Sequence, residues 1–120
     1  MTLFRAIPIH VHAALEVAAA PLLMVAPFAL GFQPLAGALS IALGVLLLGL
    51  ATSVYGDAER GSLPLSAHAG LYYTLAASTF VVGVVAGIAC DYVATVFLVG
   101  FGSAHLALTA STRFSRPLGA

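Results

Sequence analysis

The sequence predicts an all-α membrane protein with four transmembrane helices, built from two helical hairpin repeats that share one orientation in the bilayer. Three observations predict this class: the composition, four long apolar runs and an internal repeat. Of the 120 residues, 62% are hydrophobic and 7% are charged, and the formal net charge is zero. Because soluble domains carry about 25% charged residues, this composition excludes an ordinary soluble domain, a disordered chain and an electrostatic nucleic-acid binder.

Four apolar stretches are long enough to cross the hydrocarbon core, which takes about 20 residues in a helix. They cover approximately residues 9–30, 34–54, 67–89 and 92–112. The stretches are continuously apolar rather than alternating in polarity, which favours helices over a membrane β-barrel. We therefore expect one membrane domain over residues 1–120.

The arginines predict how the four spans are oriented. Every arginine lies before the first span, between the second and third spans, or after the fourth. These residues are Arg5, Arg60, Arg113 and Arg116. Since alternate connections of a four-span protein face the same side, the positive-inside rule predicts a multi-pass protein with both termini in the cytoplasm.

A shift of 56 residues aligns the chain with itself, so that Pro8 and His12 fall on Pro64 and His68. Proline and histidine are uncommon in this chain, so these matches carry more weight than matches among Ala, Leu and Gly. Each repeat is a two-helix hairpin, and both hairpins enter the membrane from the same side. The repeats cover approximately residues 8–55 and 64–112.

Small residues at regular spacing predict where the helices pack on one another. In a bilayer, helices associate through close approach of their backbones, which small side chains permit. The predicted packing residues are Gly44 in the second span, Gly83 and Gly87 in the third, and Gly100 in the fourth. Packing within one four-helix bundle is the simpler interpretation, and a homodimer formed through Gly83 and Gly87 is the alternative.

Glu16 is the one acidic residue well inside an apolar run. A carboxylate at the centre of a membrane helix costs about 2.5–3.5 kcal/mol on insertion scales, so we expect it to be protonated, partnered or functional. His12 precedes it by one helical turn on the same face. His68 and His105 are expected in the same membrane leaflet, so the four side chains form the candidate site.

These side chains suit several kinds of chemistry. Neutral imidazoles and a carboxylate are ligands for zinc, copper or iron, and two histidines on different helices can hold a haem iron. Glu16 could instead carry a proton, or it could pair with a histidine and only fix the helix register. The sequence contains no phosphate-binding glycine loop or nucleophile motif, so the interpretation leans away from an enzyme.

Residues 26–32, Ala-Pro-Phe-Ala-Leu-Gly-Phe, resemble the hallmark of the SPW-repeat family. Those proteins are small bacterial membrane proteins in which an apolar helix ends in Ser-Pro-Trp, followed by a turn like Leu-Gly-Phe. Residues 12–16 and 40–47 look like the same type of repeat. The resemblance implies a hairpin repeat and a bacterial inner-membrane location, and it brings no established activity.

A weaker resemblance is to the small multidrug-resistance transporters. They are also four-span chains of about this length with one glutamate in the first helix, and residues 15–17, Leu-Glu-Val, are similar to their local pattern. This resemblance implies proton-coupled transport of a small molecule with Glu16 as the carrier.

The favoured interpretation is a small four-helix inner-membrane protein that is a non-catalytic accessory or scaffold subunit of a larger complex. Its expected partners are the lipid bilayer and other membrane subunits or copies of itself, and not nucleic acid. The first alternative is a redox module that binds haem or a metal through His12, His68, His105 and Glu16. The second alternative is the proton-coupled transporter.

Overall fold

Four apolar helices make up nearly all of the computed structural model, which describes residues 7–54 and 65–114. Each helix is long and apolar enough to cross a membrane, which confirms the predicted all-helical class and fits a multi-pass membrane protein. Arg5, Arg60 and Arg116, which predicted the orientation, lie outside the described residues, as does the side chain of Arg113. The elements are β1 (Ile7–Pro8), α1 (Ile9–Leu30), α2 (Pro34–Ser53), α3 (Leu65–Ile88), α4 (Tyr92–Ala110) and β2 (Thr112–Arg113).

The helix boundaries follow from local backbone chemistry. After α1, Gly31 takes the left-handed conformation with φ of 75°, and its N–H donates to the Pro27 carbonyl oxygen at 3.0 Å. Pro34 lies in the first turn of α2, where a missing N–H costs no hydrogen bond. α4 ends two residues before the predicted limit, because Thr112 leaves the helix to enter β2.

Pro27 leaves one carbonyl oxygen of α1 without its helical hydrogen bond, and α2 supplies a replacement donor. Pro27 has no N–H, so the carbonyl of Leu23 one turn earlier loses its usual helical partner. The Ser40 hydroxyl of α2 donates to that carbonyl oxygen at 2.6 Å. A side chain of the neighbouring helix therefore replaces the lost backbone bond, which is how proline is tolerated in membrane helices.

The helices pack as two hairpins, with α1 against α2 and α3 against α4. A Cβ atom on Gly44 would lie 3.0 Å from the Ala20 carbonyl oxygen, and one on Gly83 would lie 2.9 Å from the Val99 nitrogen. A Cβ atom on Gly87 would lie 2.9 Å from Oγ1 of Thr95. These glycines therefore permit close backbone contact within each hairpin, as the simpler packing interpretation requires.

Gly100, the fourth predicted packing residue, is in a different situation. It is exposed, and among the described residues no side chain or neighbouring helix lies within 4 Å of the position its Cβ would take. Gly102 makes the close contact instead, since its Cβ would lie 2.8 Å from the Phe80 nitrogen. The small-residue spacing thus selected the lipid-facing side of α4 instead of the side that packs on α3.

The two hairpins are joined at both ends of the bundle. At one end, called here the strand end, β1 and β2 pair in parallel, and the Ile7 N–H donates to the Ser111 carbonyl oxygen at 3.0 Å. At the other end, called here the turn end, the Gln33 N–H donates to Oδ2 of Asp91 at 2.7 Å. Oδ1 of Asp91 also accepts from the Ala94 N–H at 3.3 Å, so this residue is the N-cap of α4.

Candidate metal centre

The strand end buries the four polar side chains of the predicted site. His12 and Glu16 come from α1, His68 from α3 and His105 from α4, and each is at most 3% exposed. Their position at this end of the bundle follows from the sequence, because His12 and His68 lie near the start of their helices and His105 lies near the end of α4. His10, the remaining histidine, is exposed in the first turn of α1.

Three of these side chains meet at one point. One ligand atom from each of His12, Glu16 and His105 lies within 4.8 Å of the other two. Oε2 of Glu16 is 2.7 Å from Nε2 of His105, and the rings of His12 and His105 have centroids 6.3 Å apart. Two helices that are distant in the sequence thus supply one carboxylate and two imidazoles to a single buried position.

The contact between Glu16 and His105 is short but poorly directed. Although the two atoms are 2.7 Å apart, neither has a partner with hydrogen-bond geometry in the part of the chain that the structure describes. This distance is short enough for a hydrogen bond, so the unmet requirement is the angle: the ring N–H of His105 does not point at the carboxylate oxygen. Both atoms are therefore close enough to share a cation without satisfying each other.

The tautomer of His12 follows from its neighbours. Nδ1 of His12 lies 2.7 Å from Oγ1 of Thr112, and the Thr112 hydroxyl donates to the Leu108 carbonyl oxygen at 2.6 Å. A hydroxyl has one proton, so Thr112 must accept from the Nδ1–H of His12. In a neutral ring the lone pair is then on Nε2, which is buried and has no hydrogen-bond partner among residues 7–54 and 65–114.

Thr112 therefore has a role that the sequence analysis missed. A metal-ligating histidine usually donates its other ring N–H to an oxygen, which fixes the tautomer and the orientation of the ring. Thr112 provides this oxygen to His12 from 100 positions away in the sequence. No local signal could reveal the contact, because it depends on the pairing of β1 with β2.

His68 is buried at the strand end but is not one of the three residues that converge. The fully buried ring of Tyr72, one turn later on α3, has its centroid 6.3 Å from that of His68 and 4.3 Å from that of His12. The 56-residue repeat places Tyr72 at the position of Glu16. The two halves of the chain that this shift aligns therefore bring different side chains to the strand end.

The packing around His12 does not suit a haem between two imidazoles. Its ring has the Tyr72 ring at a centroid distance of 4.3 Å and the Phe114 ring at 5.7 Å. Tyr72 also lies 5.9 Å from the His105 ring. A porphyrin plane beside His12 would need the space that these aromatic side chains fill, whereas a single metal ion would not.

Comparisons of the chain with models of known protein families, with curated proteins and with solved structures found no match in any of the three.

Proposed function

We propose that this protein binds a divalent transition-metal ion of the Zn²⁺ or Fe²⁺ type at the strand end, through His12, Glu16 and His105. Two imidazoles and one carboxylate are a common ligand set for both ions. The observation that carries the proposal is the buried lone pair of His12 Nε2, which belongs to a set of three ligand atoms within 4.8 Å of one another.

A bound cation also accounts for the burial of Glu16. A carboxylate in a membrane helix costs about 2.5–3.5 kcal/mol, and the poorly directed contact with His105 offsets only part of this cost. A divalent ion would compensate the charge directly while the imidazoles remain neutral. Three protein ligands also leave a coordination position open on a four-coordinate ion, as in catalytic zinc sites.

This proposal develops the metal-module alternative. The role as an accessory or scaffold subunit of a larger complex remains a prediction from the sequence, as does proton transport by Glu16.

We also propose that the two hairpins are copies of one SPW-like repeat, in the same orientation, with the strand end in the cytoplasm of a bacterial cell. The repeated Pro-His pattern, the positions of the arginines and the pairing of β1 with β2 support this arrangement. Thiol labelling of intact cells tests it in a Cys90→Ser background. Gln33→Cys should react with an impermeant reagent and Ser62→Cys, which keeps Arg60, should not; the reverse pattern would refute the arrangement.

Zinc binding by the purified protein in detergent tests the metal site. After dialysis against Zn²⁺, elemental analysis should find about one zinc per chain in the wild type, since the ligands form one cluster. We expect His12→Ala and His105→Ala to weaken binding at least about 100-fold, because losing even an outer-shell partner costs about 10–100-fold. His10→Ala is the matched control, since His10 is exposed on the same helix as His12. A wild type without zinc, or equal loss in the control, would contradict the proposal.

A further inference from the structure

The ligand atoms of the candidate metal centre are enclosed by the protein. Nε2 of His12, Oε2 of Glu16 and Nε2 of His105 are all buried, so no metal ion reaches them from water in this conformation. The unfolded chain has no preformed site, so an ion that binds the folded protein must pass its surface. Metal exchange therefore requires some part of the structure to open.

A crevice between α1 and α4 lies against Glu16 and His105, but it is a poor route for a cation. Leu15 at its rim is 48% exposed on the side of the bundle, which in a membrane protein faces lipid. A hydrated ion would have to leave water and cross hydrocarbon to enter it, at a large desolvation cost. The remaining walls are apolar and consist of Leu15, Ala19, Phe101, Ala104 and Leu108.

The second cover of the site is the segment that follows α4, residues 111–114, called here the strap. Oγ1 of Thr112 lies 2.7 Å from Nδ1 of His12, and the centroid of the Phe114 ring lies 5.7 Å from that of His12. The Phe114 ring also lies 6.0 Å from the Tyr72 ring. Because the strap begins beyond the end of an apolar span, it borders water instead of hydrocarbon. It therefore covers His12 on the side from which a hydrated ion approaches.

Few backbone bonds hold the strap in the part of the chain that the structure describes. β2 pairs with β1 over two residues, and the Ile7 N–H donates to the Ser111 carbonyl oxygen at 3.0 Å. Pro8, the other residue of β1, has no N–H to donate. Isolated two-stranded pairings are marginally stable even when they are longer. Detachment of the strap should therefore cost less free energy than separation of the packed helices.

We infer that the strap is the gate through which the metal ion enters and leaves its site. The inference rests on the proposed metal site. When residues 111–114 detach, His12 loses the Thr112 contact that orients its ring, and the ring is free to turn away from Glu16 and His105. Closure of the strap directs Nε2 of His12 to the ion again. An ion that binds this closed state more tightly shifts the protein towards it, so the metal and the closed strap stabilise each other.

A disulfide that locks the strap tests the inference through the kinetics of zinc exchange. Pro8 and Arg113 are partners in the register of β1 and β2, and neither is a proposed ligand. The protein for the test carries Pro8→Cys and Arg113→Cys in a Cys90→Ser background, in detergent. Zinc uptake and chelator-induced zinc release should both be at least about tenfold slower in the oxidised form than after reduction with a phosphine, because the lock prevents local opening. The zinc affinity should stay nearly the same, since the closed site keeps its three ligands.

Two phenylalanines beside the ligands distinguish the strap from the crevice. Phe114 packs on His12 from the strap, whereas Phe101 lies in the crevice wall with its ring edge-on to His105, at a centroid distance of 6.4 Å. Phe114→Ala should speed zinc release at least about tenfold, because the strap loses its aromatic contacts with His12 and Tyr72. Phe101→Ala is the matched control: it widens the crevice and should leave the release rate near that of the wild type.

The outcomes separate this inference from the proposed metal site. A wild type that binds no zinc contradicts the metal site and removes the basis of the gate with it. A protein that binds zinc but exchanges it equally fast with the disulfide formed and reduced overturns the gate alone. Faster release from Phe101→Ala than from Phe114→Ala would also overturn it, since the ion would then pass between the hairpins. If the two cysteines do not pair, the phenylalanine variants decide the same question.

Discussion

Glu16 at the strand end and Asp91 at the turn end are both buried carboxylates, with exposed fractions of 2% and 6%. Both oxygens of Asp91 accept backbone N–H groups, and its charge lies at the N-terminus of α4, where the helix dipole favours it. Among the described residues, Oε2 of Glu16 has only the poorly directed contact with His105. The two carboxylates therefore differ little in burial. They differ in whether their oxygens accept hydrogen bonds. This difference is why we assign Asp91 a structural role and propose Glu16 as a metal ligand.

The largest expected effect is a difference in metal binding between two equivalent substitutions. Glu16→Gln removes a charged ligand and should weaken Zn²⁺ binding at least about 100-fold, more than the loss of an outer-shell partner. Asp91→Asn makes the same chemical change at the turn end and should bind zinc as the wild type does. Competition titration with a zinc indicator measures both. Similar affinities for the two variants would remove the distinction between the carboxylates.

Thr112→Val should have the next largest effect. Valine has nearly the same shape as threonine but cannot accept the Nδ1–H of His12, so the tautomer and the ring orientation are no longer fixed. We expect zinc affinity to fall by about 10–100-fold, the usual effect of losing an outer-shell partner. Thr79→Val is the control for loss of a buried threonine hydroxyl, because Thr79 donates only to its own helix at Leu75. Equal losses in both variants would contradict this role for Thr112.

In thermal unfolding of the metal-free protein, the substitution of Asp91 should be the damaging one, whereas for zinc binding it is the substitution of Glu16. Asp91→Asn leaves one of two backbone N–H groups without its acceptor, so the free energy of unfolding should fall by about 1–3 kcal/mol. Glu16→Gln removes a carboxylate that the empty site does not compensate, so it should raise the melting temperature. Circular dichroism in detergent measures both changes. A Glu16→Gln variant as unstable as Asp91→Asn would show that Glu16 has a structural role too.

Substitutions at two glycines separate loss of stability from loss of zinc binding, and Gly100→Ala has the smallest expected effect of all. Gly83→Ala forces a Cβ to 2.9 Å from the Val99 nitrogen, so it should lower stability by about 1–3 kcal/mol while zinc binding is kept. Gly100→Ala meets no side chain or neighbouring helix within 4 Å in the described structure and should raise stability by about 0.5–1 kcal/mol or less. Loss of zinc in Gly83→Ala would mean that binding follows general stability instead of the ligands.

The sequence was sufficient for the helices and for the depth of the site. Continuous apolar runs between turn residues define the spans, and a rise of about 1.5 Å per residue predicts that His12, Glu16 and His105 lie towards the same end of the bundle. The rotation of each helix about its axis could not be predicted in the same way. The helices are apolar on every face, so no polar side marks the surface that points outward. A spacing of small residues therefore does not distinguish Gly100, which is exposed, from Gly102, which contacts α3.

The same physical limit applies to the details of the site. The sequence shows Tyr72 one turn after His68, but it does not show that the Tyr72 ring packs at a centroid distance of 4.3 Å from the ring of His12. The contact of His12 with Thr112 depends on how the segments outside α1 and α4 pair. Both features arise from packing between parts of the chain that are far apart in sequence.

X-ray absorption by the zinc-loaded wild type tests the ligation of the metal most directly. We expect only nitrogen and oxygen neighbours at about 2.0–2.2 Å, with the outer-shell scattering of two imidazoles. A sulfur neighbour at about 2.3 Å would place the metal at the exposed Cys90 of the turn end. That result, or a first shell without imidazole, would contradict a metal site made by His12, Glu16 and His105.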